Sequence, residues 1–308
     1  MLSILIPIYN YDCSRLITDL DQQCRILRAE LGQDVFDYEL IMIDDASTNK
    51  KTEAINRETA HKSGGKYLVL KENVSRAKIR NLLAREAKGD YLLFLDCDTG
   101  VCNANFVRQY WADRDLAKVV CGNLRNPIGR APRGCELRYR YERQAEANRP
   151  AAVRRQTPYA CFTTFSVLFH REVFNRVEFD ERCTEYGYED ALMGLMLDKM
   201  GIPIAHTDNA LFHNGIDSNA SFLQKTETAL RVLHRLGEPM QSAAGASRLT
   251  RRLDRFRLTP TFAWMFRRVR GIIRANLLGR KPSLLLFNLY KLGYYVAFET
   301  ESRRNARK

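Results

Sequence analysis

The sequence predicts an α/β fold in which helices flank a mostly parallel sheet, followed by a basic helical extension. Over residues 2–98, apolar runs of strand length alternate with segments of helical apolar spacing, a pattern typical of parallel sheets. The 308-residue chain is 45% hydrophobic, which allows a sizeable core and argues against global disorder. From residue 238 onward, 16 Lys or Arg oppose four Asp or Glu, whereas the preceding residues are nearly neutral.

In the first part of the chain, strands and helices are predicted in turn. The predicted strands are residues 2–8, 38–47, 66–70 and 90–98, and the predicted helices are residues 14–31 and 75–89. Ser75 is a suitable N-cap for the second helix, and Gly89 a suitable stop. Ligands of parallel sheets bind beyond the carboxyl ends of the strands. The polar residues after the first, second and fourth strands are therefore expected to meet at one edge.

The pattern beyond residue 101 is less regular. The predicted strands are residues 119–122, 165–170 and 202–206, and the predicted helices are residues 186–201 and 221–236. Residues 123–158 are rich in Arg, which indicates partly helical, mobile structure outside the core. Gly237, Pro239 and the small residues at 241–247 predict a linker, so we expect domains at 1–236 and 237–308.

The basic extension suggests an anionic surface as its partner. Arginines alternate with aromatic and aliphatic residues through 248–298, a composition that suits peripheral contact with an anionic membrane. The alternative is that the apolar face packs on the body of the protein or on a second subunit. No run of 18 apolar residues predicts a membrane-spanning helix, and the N-terminus does not resemble a signal peptide. The eight cysteines lack C-x-x-C spacing, which favours reduced thiols and a cytosolic location.

Two carboxylates, Asp96 and Asp98, follow the fourth predicted strand. We expect the strand or a turn at Thr99-Gly100 to bring them close, and converging carboxylates repel unless a cation is near. Oxygen ligands suit Mn²⁺ or Mg²⁺, which often complete their shells with substrate phosphates. The alternative is that Asp96 caps a turn and Asp98 is solvated.

Four other groups have both a functional and a structural interpretation. Asp44 and Asp45 suit a nucleotide base or ribose, but also a helix N-cap. Cations at a helix start, including Arg76 and Arg80, suit a diphosphate or a solvated face. Glu189 and Asp190 suit the positive end of a helix dipole, and a single His such as His213 suits a buried structural role. In chain order the four groups are Asp44-Asp45, Arg76/Lys78/Arg80, Glu189-Asp190 and His213.

Taken in order, five segments resemble family 2 glycosyltransferases with a GT-A fold, over about residues 1–220. The segments are SILIPIYN, IMIDDAS, SRAKIRN, YLLFLDCDTGV and YGYEDALMGLML. The similarity is greatest to bacterial enzymes that build surface polysaccharides or lipid-linked glycans. One departure is DDAS, with Ala46 where the family usually has Gly in DDGS; we expect binding to survive it.

The resemblance implies a role for each matching residue. The implied nucleotide-sugar-binding residues are Pro7, Tyr9, Asp44, Asp45, Arg76, Arg80 and Asp96, with Arg80 near the diphosphate; the implied metal ligands are Asp98 and His213; the implied catalytic residues are Asp190 and the adjacent Glu189. Asp190 is the implied base. The cofactor implied is Mn²⁺ or Mg²⁺.

The implied activity is inverting, metal-dependent hexosyl transfer from a nucleotide-diphosphate sugar to a glycan or lipid-linked acceptor, in polysaccharide synthesis. Such an enzyme is expected in the cytoplasm, at the inner face of the membrane. A nucleotidyltransferase acting on sugar phosphates is the first alternative, disfavoured because no Gly-rich loop follows residues 2–8. A nucleic-acid-binding protein is the second, disfavoured because no motif of that kind is present and the carboxylates would repel phosphates.

Overall fold

The structure is a computed structural model that describes residues 1–127, 129–238, 240–243 and 245–305. In chain order the elements are β1 (Leu2–Ile8), α1 (Ser14–Leu31), β2 (Tyr38–Asp44), α2 (Lys50–Lys62), β3 (Lys66–Val69), α3 (Arg76–Glu86), β4 (Tyr91–Leu95), β5 (Thr99–Val101), α4 (Phe106–Asp113), β6 (Val119–Arg125), α5 (Glu136–Asn148), α6 (Ala151–Arg154), β7 (Ser166–His170), α7 (Arg171–Val177), α8 (Glu189–Lys199), β8 (Ile204–His213), α9 (Asn219–Leu236), α10 (Met240–Ala243), α11 (Gly245–Arg255), α12 (Thr259–Leu278) and α13 (Leu284–Asn305).

The described chain divides into two compact units. The first consists of Met1–Pro127, Glu146–Thr184 and Glu189–Gly215, and we call it the sheet unit. The second consists of Ile128–Ala145, Glu185–Tyr188 and Ile216–Lys308, and we call it the helical unit. The predicted boundary at residues 236 and 237 stays a prediction; by compactness, α9 groups with the C-terminal helices.

The sheet unit contains a sheet of eight strands among the described residues, in the order β3-β2-β1-β4-β7-β6-β8-β5. The β3, β2, β1 and β4 strands run parallel, and β7 joins β4 in the antiparallel sense. Because β1 lies between β2 and β4, the ends of these three strands reach the same edge. The sequence prediction that their polar termini meet there is confirmed.

Alternation along the strands divides the core into two layers. In β1, Ile4 and Ile6 join a cluster with α1 and α4, whereas Leu5 joins a cluster with α3, α7 and α8 on the opposite face. Helices thus cover both faces, as the short buried strands require. Ser75 caps α3, its side chain accepting a hydrogen bond from the Lys78 N–H, as predicted.

The helical unit has a core of its own, in which α12 and α13 pack together. The buried side chains are Leu137, Phe222, Leu223, Phe266, Ile273, Leu277, Phe287 and Tyr290. At its polar margin, Glu227 accepts hydrogen bonds from the Tyr290 hydroxyl at 2.5 Å and from Arg270 at 3.3 Å. No helix in the described part of the chain has the length and apolar character needed to cross a membrane.

Several sequence predictions need correction. Residues 123–158 are not all outside the core, because α5 places Leu137 in the core of the helical unit. The strand predicted at 202–206 is part of β8, which continues to His213 and pairs with β5 and β6. Thr99 and Gly100 lie in β5, so the turn is at residues 96–98 instead. The predicted linker contains α10 and the start of α11, while Pro239 and Ala244 lie outside the described residues.

Candidate active site at the carboxyl edge of the sheet

Asn10 ties together the two loops that follow β1 and β2. Its backbone has a φ of 50°, and its N–H donates to the Ser47 hydroxyl at 2.8 Å. Its side-chain oxygen accepts the Asn49 N–H at 2.9 Å. This bonding fixes the loop that carries Tyr9, whose side chain is 49% exposed, while Pro7 is half-buried at the end of β1. Pro7 and Tyr9, both predicted to bind the nucleotide-sugar, therefore lie at the expected edge.

Asp44 and Asp45 have different surroundings. Asp44 is fully buried, and its carboxylate accepts the Ser47 N–H at 2.6 Å and the Tyr67 hydroxyl at 2.7 Å. These bonds indicate that Asp44 shapes the loop, so a direct contact with a nucleotide stays a prediction.

Asp45 is held by the segment that precedes α3. Its carboxylate accepts the Val74 N–H at 2.6 Å and the Asn73 side-chain amide at 2.9 Å. Burial, with a smaller contribution from Asp44, raises the pKa of Asp45 to about 6, although the Val74 hydrogen bond lowers it. An acid in this setting can accept a hydrogen bond from a base N–H or a ribose hydroxyl.

Ala46 has a left-handed backbone, with φ of 58°. This explains why glycine would suit the position, since a left-handed L-residue costs about 1–2 kcal/mol. Replacing Ala46 by Gly is expected to stabilise the protein by about 0.5–1 kcal/mol, because relief of this strain exceeds the greater chain entropy of glycine. Urea unfolding measures the change.

The matched control for this substitution is Ala54→Gly, at an exposed position inside α2. There the backbone is helical, so glycine is expected to destabilise the protein by about 1 kcal/mol. Equal destabilisation by both substitutions would contradict the account of Ala46.

Arg80 is buried within α3 and pairs with Asp96. The side chain is 3% exposed, and its guanidinium donates to the Asp96 carboxylate at 2.7 Å. The guanidinium also lies 5.7 Å from the centre of the Phe179 ring. This arrangement holds Asp96 in place at the end of β4. The predicted contact between Arg80 and a diphosphate stays a prediction.

Arg76 lies at the start of α3, and its guanidinium is 3.5 Å from the Glu189 carboxylate. The guanidinium is half-exposed, whereas the Glu189 side chain is 9% exposed. The cations at the start of α3 oppose the helix dipole, and two carboxylates compensate for two of them, Glu189 for Arg76 and Asp96 for Arg80. From the sequence, a diphosphate or a solvated face was expected for these cations, and neither interpretation included the two carboxylate partners.

Asp98, in the turn after β4, pairs with His213 at the end of β8. The His213 Nε2 atom lies 3.3 Å from the Asp98 carboxylate. Burial raises the pKa of Asp98, but the hydrogen bond and charge of His213, with Arg76, outweigh it and hold the pKa below its usual value. Gly215 lies against the Asp98 carboxylate, and a Cβ at that position would overlap it.

The Asp98–His213 pair fits a divalent cation. A carboxylate oxygen suits Mn²⁺ or Mg²⁺ and an imidazole nitrogen is a ligand for divalent transition metals, and the two lie side by side at one edge of the sheet. Among the described residues, no group of three or more His, Cys, Asp and Glu could hold a metal ion. Two protein ligands suit a cation that takes its remaining ligands from substrate phosphate and water.

Asp190 lies in the first turn of α8 and is held by two threonines. The Thr164 hydroxyl donates to its carboxylate at 2.8 Å, and the Thr164 N–H and Thr163 hydroxyl donate at 3.2 and 3.3 Å. Burial and the charge of Glu189 raise the pKa of Asp190 to about 6, with a further rise from Asp96. Arg80 and the Thr164 hydrogen bond oppose this rise. Such a carboxylate is suited to accept a proton near neutral pH.

All the sequence-predicted site residues lie in the sheet unit, and ion pairs join six of them as Arg76–Glu189, Arg80–Asp96 and Asp98–His213. Sequence reasoning placed Asn10 at this edge without its role in joining two loops. It missed the other residues that orient the site: Tyr67, Asn73, Thr163, Thr164 and Gly215. Gly215, directly after His213-Asn214, was the one available signal, since a glycine often marks a close approach. Thr163 and Thr164 precede β7 without any local pattern that suggests contact with Asp190.

The chain is similar in sequence to known glycosyltransferases. The model of the family described as "Glycosyl transferase family 2" matches residues 3–177. A 109-residue stretch is 34% identical to an uncharacterized glycosyltransferase of Haemophilus influenzae, covering 35% of this chain and 40% of the relative. A 133-residue stretch is 28% identical to the poly(ribitol-phosphate) beta-glucosyltransferase of Bacillus spizizenii, covering 42% of this chain and 20% of the relative. The matches span less than half the length of either curated relative.

Solved structures share the fold. The mannosyltransferase PcManGT from Pyrobaculum calidifontis, in complex with GDP-Man and Mn²⁺, has a TM-score of 0.56 at 16% identity, covering 96% of this chain and 84% of that chain. Glucosyl-3-phosphoglycerate synthase from Mycobacterium tuberculosis, in complex with Mn²⁺ and UDP, has a TM-score of 0.51 at 17% identity, covering 78% and 81%. The predicted GT-A fold is confirmed by these likenesses.

Proposed function

The chain belongs to glycosyl transferase family 2, and from this premise we propose that it transfers a hexosyl group from a nucleotide-diphosphate sugar to an acceptor hydroxyl, with inversion. The observation that carries this proposal is the environment of Asp190, a partly buried carboxylate with a pKa near 6 that two threonines orient. It lies in the same compact unit as Asp45 and Asp98.

The donor nucleotide is proposed to bind at the ends of β1 and β2. Tyr9 and Pro7 line the space for the base, and Asp45 accepts a hydrogen bond from the base or ribose. Asp96, fixed by Arg80 at 2.7 Å, lies where β4 ends and is proposed to contact the ribose. Asp44 and Asn10 act on the donor indirectly, by fixing the two loops.

Asp190 is proposed to act as the general base. It takes the proton of the acceptor hydroxyl as that oxygen forms a bond to the anomeric carbon, and the bond to the diphosphate oxygen breaks on the opposite face of the sugar. Thr163 and Thr164 hold the carboxylate in place, and Arg76 holds the adjacent Glu189. One displacement of this kind inverts the anomeric configuration.

Asp98 and His213 are proposed to hold Mn²⁺ or Mg²⁺ with the donor diphosphate. A bound divalent cation neutralises the charge that develops on a leaving diphosphate. The complexes of PcManGT and of glucosyl-3-phosphoglycerate synthase with Mn²⁺ support the use of a metal by this fold. The contact between Asp98 and His213 supports these two residues as its ligands.

The acceptor is proposed to be a glycan or a lipid-linked glycan, and the process to be cell-surface polysaccharide synthesis. The name of the Bacillus spizizenii relative, a poly(ribitol-phosphate) beta-glucosyltransferase, supports a polymeric acceptor. Membership of family 2 removes the reason to prefer a nucleotidyltransferase or a nucleic-acid-binding protein.

The test of this function is binding and hydrolysis of UDP-, GDP- and dTDP-sugars by the wild-type protein, with Mn²⁺, Mg²⁺ or EDTA. We expect one nucleotide class to bind when metal is present, and to be hydrolysed slowly in the absence of acceptor. Failure of every donor to bind with either metal would overturn the proposal.

We also propose peripheral contact with the inner face of the cytoplasmic membrane, through residues 248–298. On α12, Trp264, Met265 and Ile272 are 56%, 55% and 75% exposed and share one face by helical spacing. Arg268 lies over the Trp264 ring at 5.4 Å. An exposed helix face that combines aromatic and aliphatic side chains with arginine suits the interface of an anionic membrane.

Vesicle sedimentation tests this contact. We expect the protein to bind vesicles that contain phosphatidylglycerol and to be released by salt. Replacing Trp264 and Ile272 by Ala is expected to weaken binding by at least about tenfold, since each buried apolar side chain contributes about 1.5–3 kcal/mol. The control is Leu116→Ala, which removes an exposed apolar side chain of the sheet unit. Equal binding of vesicles with and without anionic lipid would contradict the contact.

A further inference from the structure

We propose that a basic groove in the helical unit binds a phosphoryl group, separately from the donor site. The groove has a volume of about 540 Å³ and lies between Gly129, residues 139–143 of α5 and residues 282–284 at the start of α13. The groove is shallow and largely open to solvent. The proposed site goes beyond the sugar-transfer function and does not depend on it.

Two hydrogen bonds fix the walls of the groove. The Tyr139 hydroxyl donates to the Gly129 carbonyl at 2.9 Å, which ties α5 to one wall. Arg140 donates through Nη1 to the Pro282 carbonyl at 2.9 Å, which ties α5 to the other. The second bond uses one of the five N–H donors of the guanidinium, so Arg140 is anchored in the groove while it retains capacity to bind a ligand.

The charge of the groove is positive. Arg140 and Arg143 both line it, and none of the lining residues that the structure describes is acidic. Exposed cations adjoin it in sequence at Arg130, Arg280 and Lys281. The acidic residue Glu136, the first residue of α5, is not among the lining residues. Its carboxylate accepts hydrogen bonds from the Gly134 N–H and the Asn219 amide, each at 3.1 Å.

A phosphoryl group is the ligand that this chemistry fits. A guanidinium group presents its donors as a planar fork, which matches the oxygens of phosphate better than an ammonium does. The first turn of the 22-residue α13 also contributes to the groove, and the positive end of a helix dipole adds to the attraction of the arginines. The groove therefore selects an anion with several oxygens.

The substituent on the phosphate can come from two sources. Leu284 lines the groove and the adjacent Leu285 is 79% exposed, which provides an apolar surface next to the arginines. A lipid phosphate would place its acyl chain there, whereas a soluble phosphate ester would use the arginines alone. Both sources share the same recognition of the phosphoryl group.

Calorimetric titration with inorganic phosphate tests the site on the full chain. Replacing Arg140 and Arg143 together by Gln is expected to weaken phosphate binding at least about tenfold, because it removes the two positive charges that line the groove. The matched control replaces Arg267 and Arg274 by Gln, two exposed arginines of α12 outside the groove, and is expected to bind phosphate as the wild type does. Circular dichroism verifies that both variants are folded.

The same variants separate this site from the donor site. Phosphate binding that persists in the Arg140→Gln/Arg143→Gln variant, or that is absent from the wild type, would overturn the proposal. Nucleotide-sugar binding is expected to be unchanged in this variant, so a failure of the groove and a failure of the proposed activity give different results.

Monomeric short-chain phosphatidic acid distinguishes the two sources. Tighter binding of this lipid than of inorganic phosphate, reduced to the phosphate level by Leu285→Asn, identifies a lipid phosphate as the ligand. Equal affinity for both probes, unaffected by Leu285→Asn, identifies a soluble phosphate ester. Weaker binding of both probes in Arg140→Gln/Arg143→Gln supports the site, and unchanged binding of inorganic phosphate contradicts it.

Discussion

Replacing Asp190 by Asn is expected to lower kcat for sugar transfer by about 10³-fold, the usual contribution of a general base. The amide keeps the shape of the carboxylate and its place beside Thr164, but it cannot accept the proton of the acceptor hydroxyl. Donor affinity is expected to change little, because the donor contacts are assigned to Asp45, Asp96 and Asp98. Steady-state kinetics and donor titration measure the two effects.

The control for this substitution is Asp198→Asn, an exposed position on the same helix, α8. It removes one negative charge from the helix without touching Thr163 or Thr164, and kcat is expected to stay at the wild-type value. An Asp190→Asn enzyme with wild-type kcat would exclude Asp190 as the base.

The pH profile of kcat/KM gives an independent test of the same residue, because kcat/KM reports the pKa values of the free enzyme. The pKa of Asp190 is raised to about 6 by burial and by Glu189, while Arg80 and Thr164 lower it and Asp96 raises it. Since the base acts only when it is deprotonated, kcat/KM is expected to rise with pH through about 6. Thr164→Val removes a hydrogen bond that lowers the pKa, so the acid limb is expected to move to higher pH. A limb that stays in place would contradict the role of Thr164.

Asp98→Asn is expected to abolish the response of donor binding to metal. Replacing a residue that only orients a metal ligand lowers metal affinity about 10–100-fold. Loss of a ligand itself is therefore expected to lower metal affinity at least about 100-fold. In EDTA the variant and the wild type are expected to bind the donor alike. Titration of the donor with and without Mn²⁺ measures both conditions.

The control here is Asp34→Asn, an exposed position between α1 and β2. It changes the net charge by the same amount and is expected to keep the metal response. A metal response that survives in Asp98→Asn would place the cation elsewhere.

The edge of the sheet was predictable because parallel strands obey simple rules. Apolar runs ending in Tyr9-Asn10, Asp44-Asp45 and Asp96 predicted three strand ends at one edge, and the pairing of β1 with β2 and β4 places them there. The side chains that orient the carboxylates were not predictable. Thr164 contacts Asp190 across 26 residues of sequence, and such contacts leave no periodic signal.

Other differences have physical causes in composition. No helix was predicted from the sequence where α2 lies. Along α2 only Glu53, Asn56 and Ala60 are buried, so the helix lacks the apolar stripe that reveals an amphipathic segment. Arg-rich α5 was expected outside the core, yet Leu137 packs in the helical unit with Phe222. Small residues suggested a linker near residue 240, but α10 and α11 form there because alanine favours helix as readily as it suits a flexible segment.

The central claim is a single displacement in which Asp190 activates the attacking oxygen on the face of the sugar opposite the diphosphate. The most direct measurement is the anomeric configuration of the first product, followed by proton NMR during slow hydrolysis of an α-linked donor. The account predicts that the β-anomer appears first and then equilibrates, and that Asp190→Asn suppresses its formation. Initial release of the α-anomer would contradict the displacement assigned to Asp190.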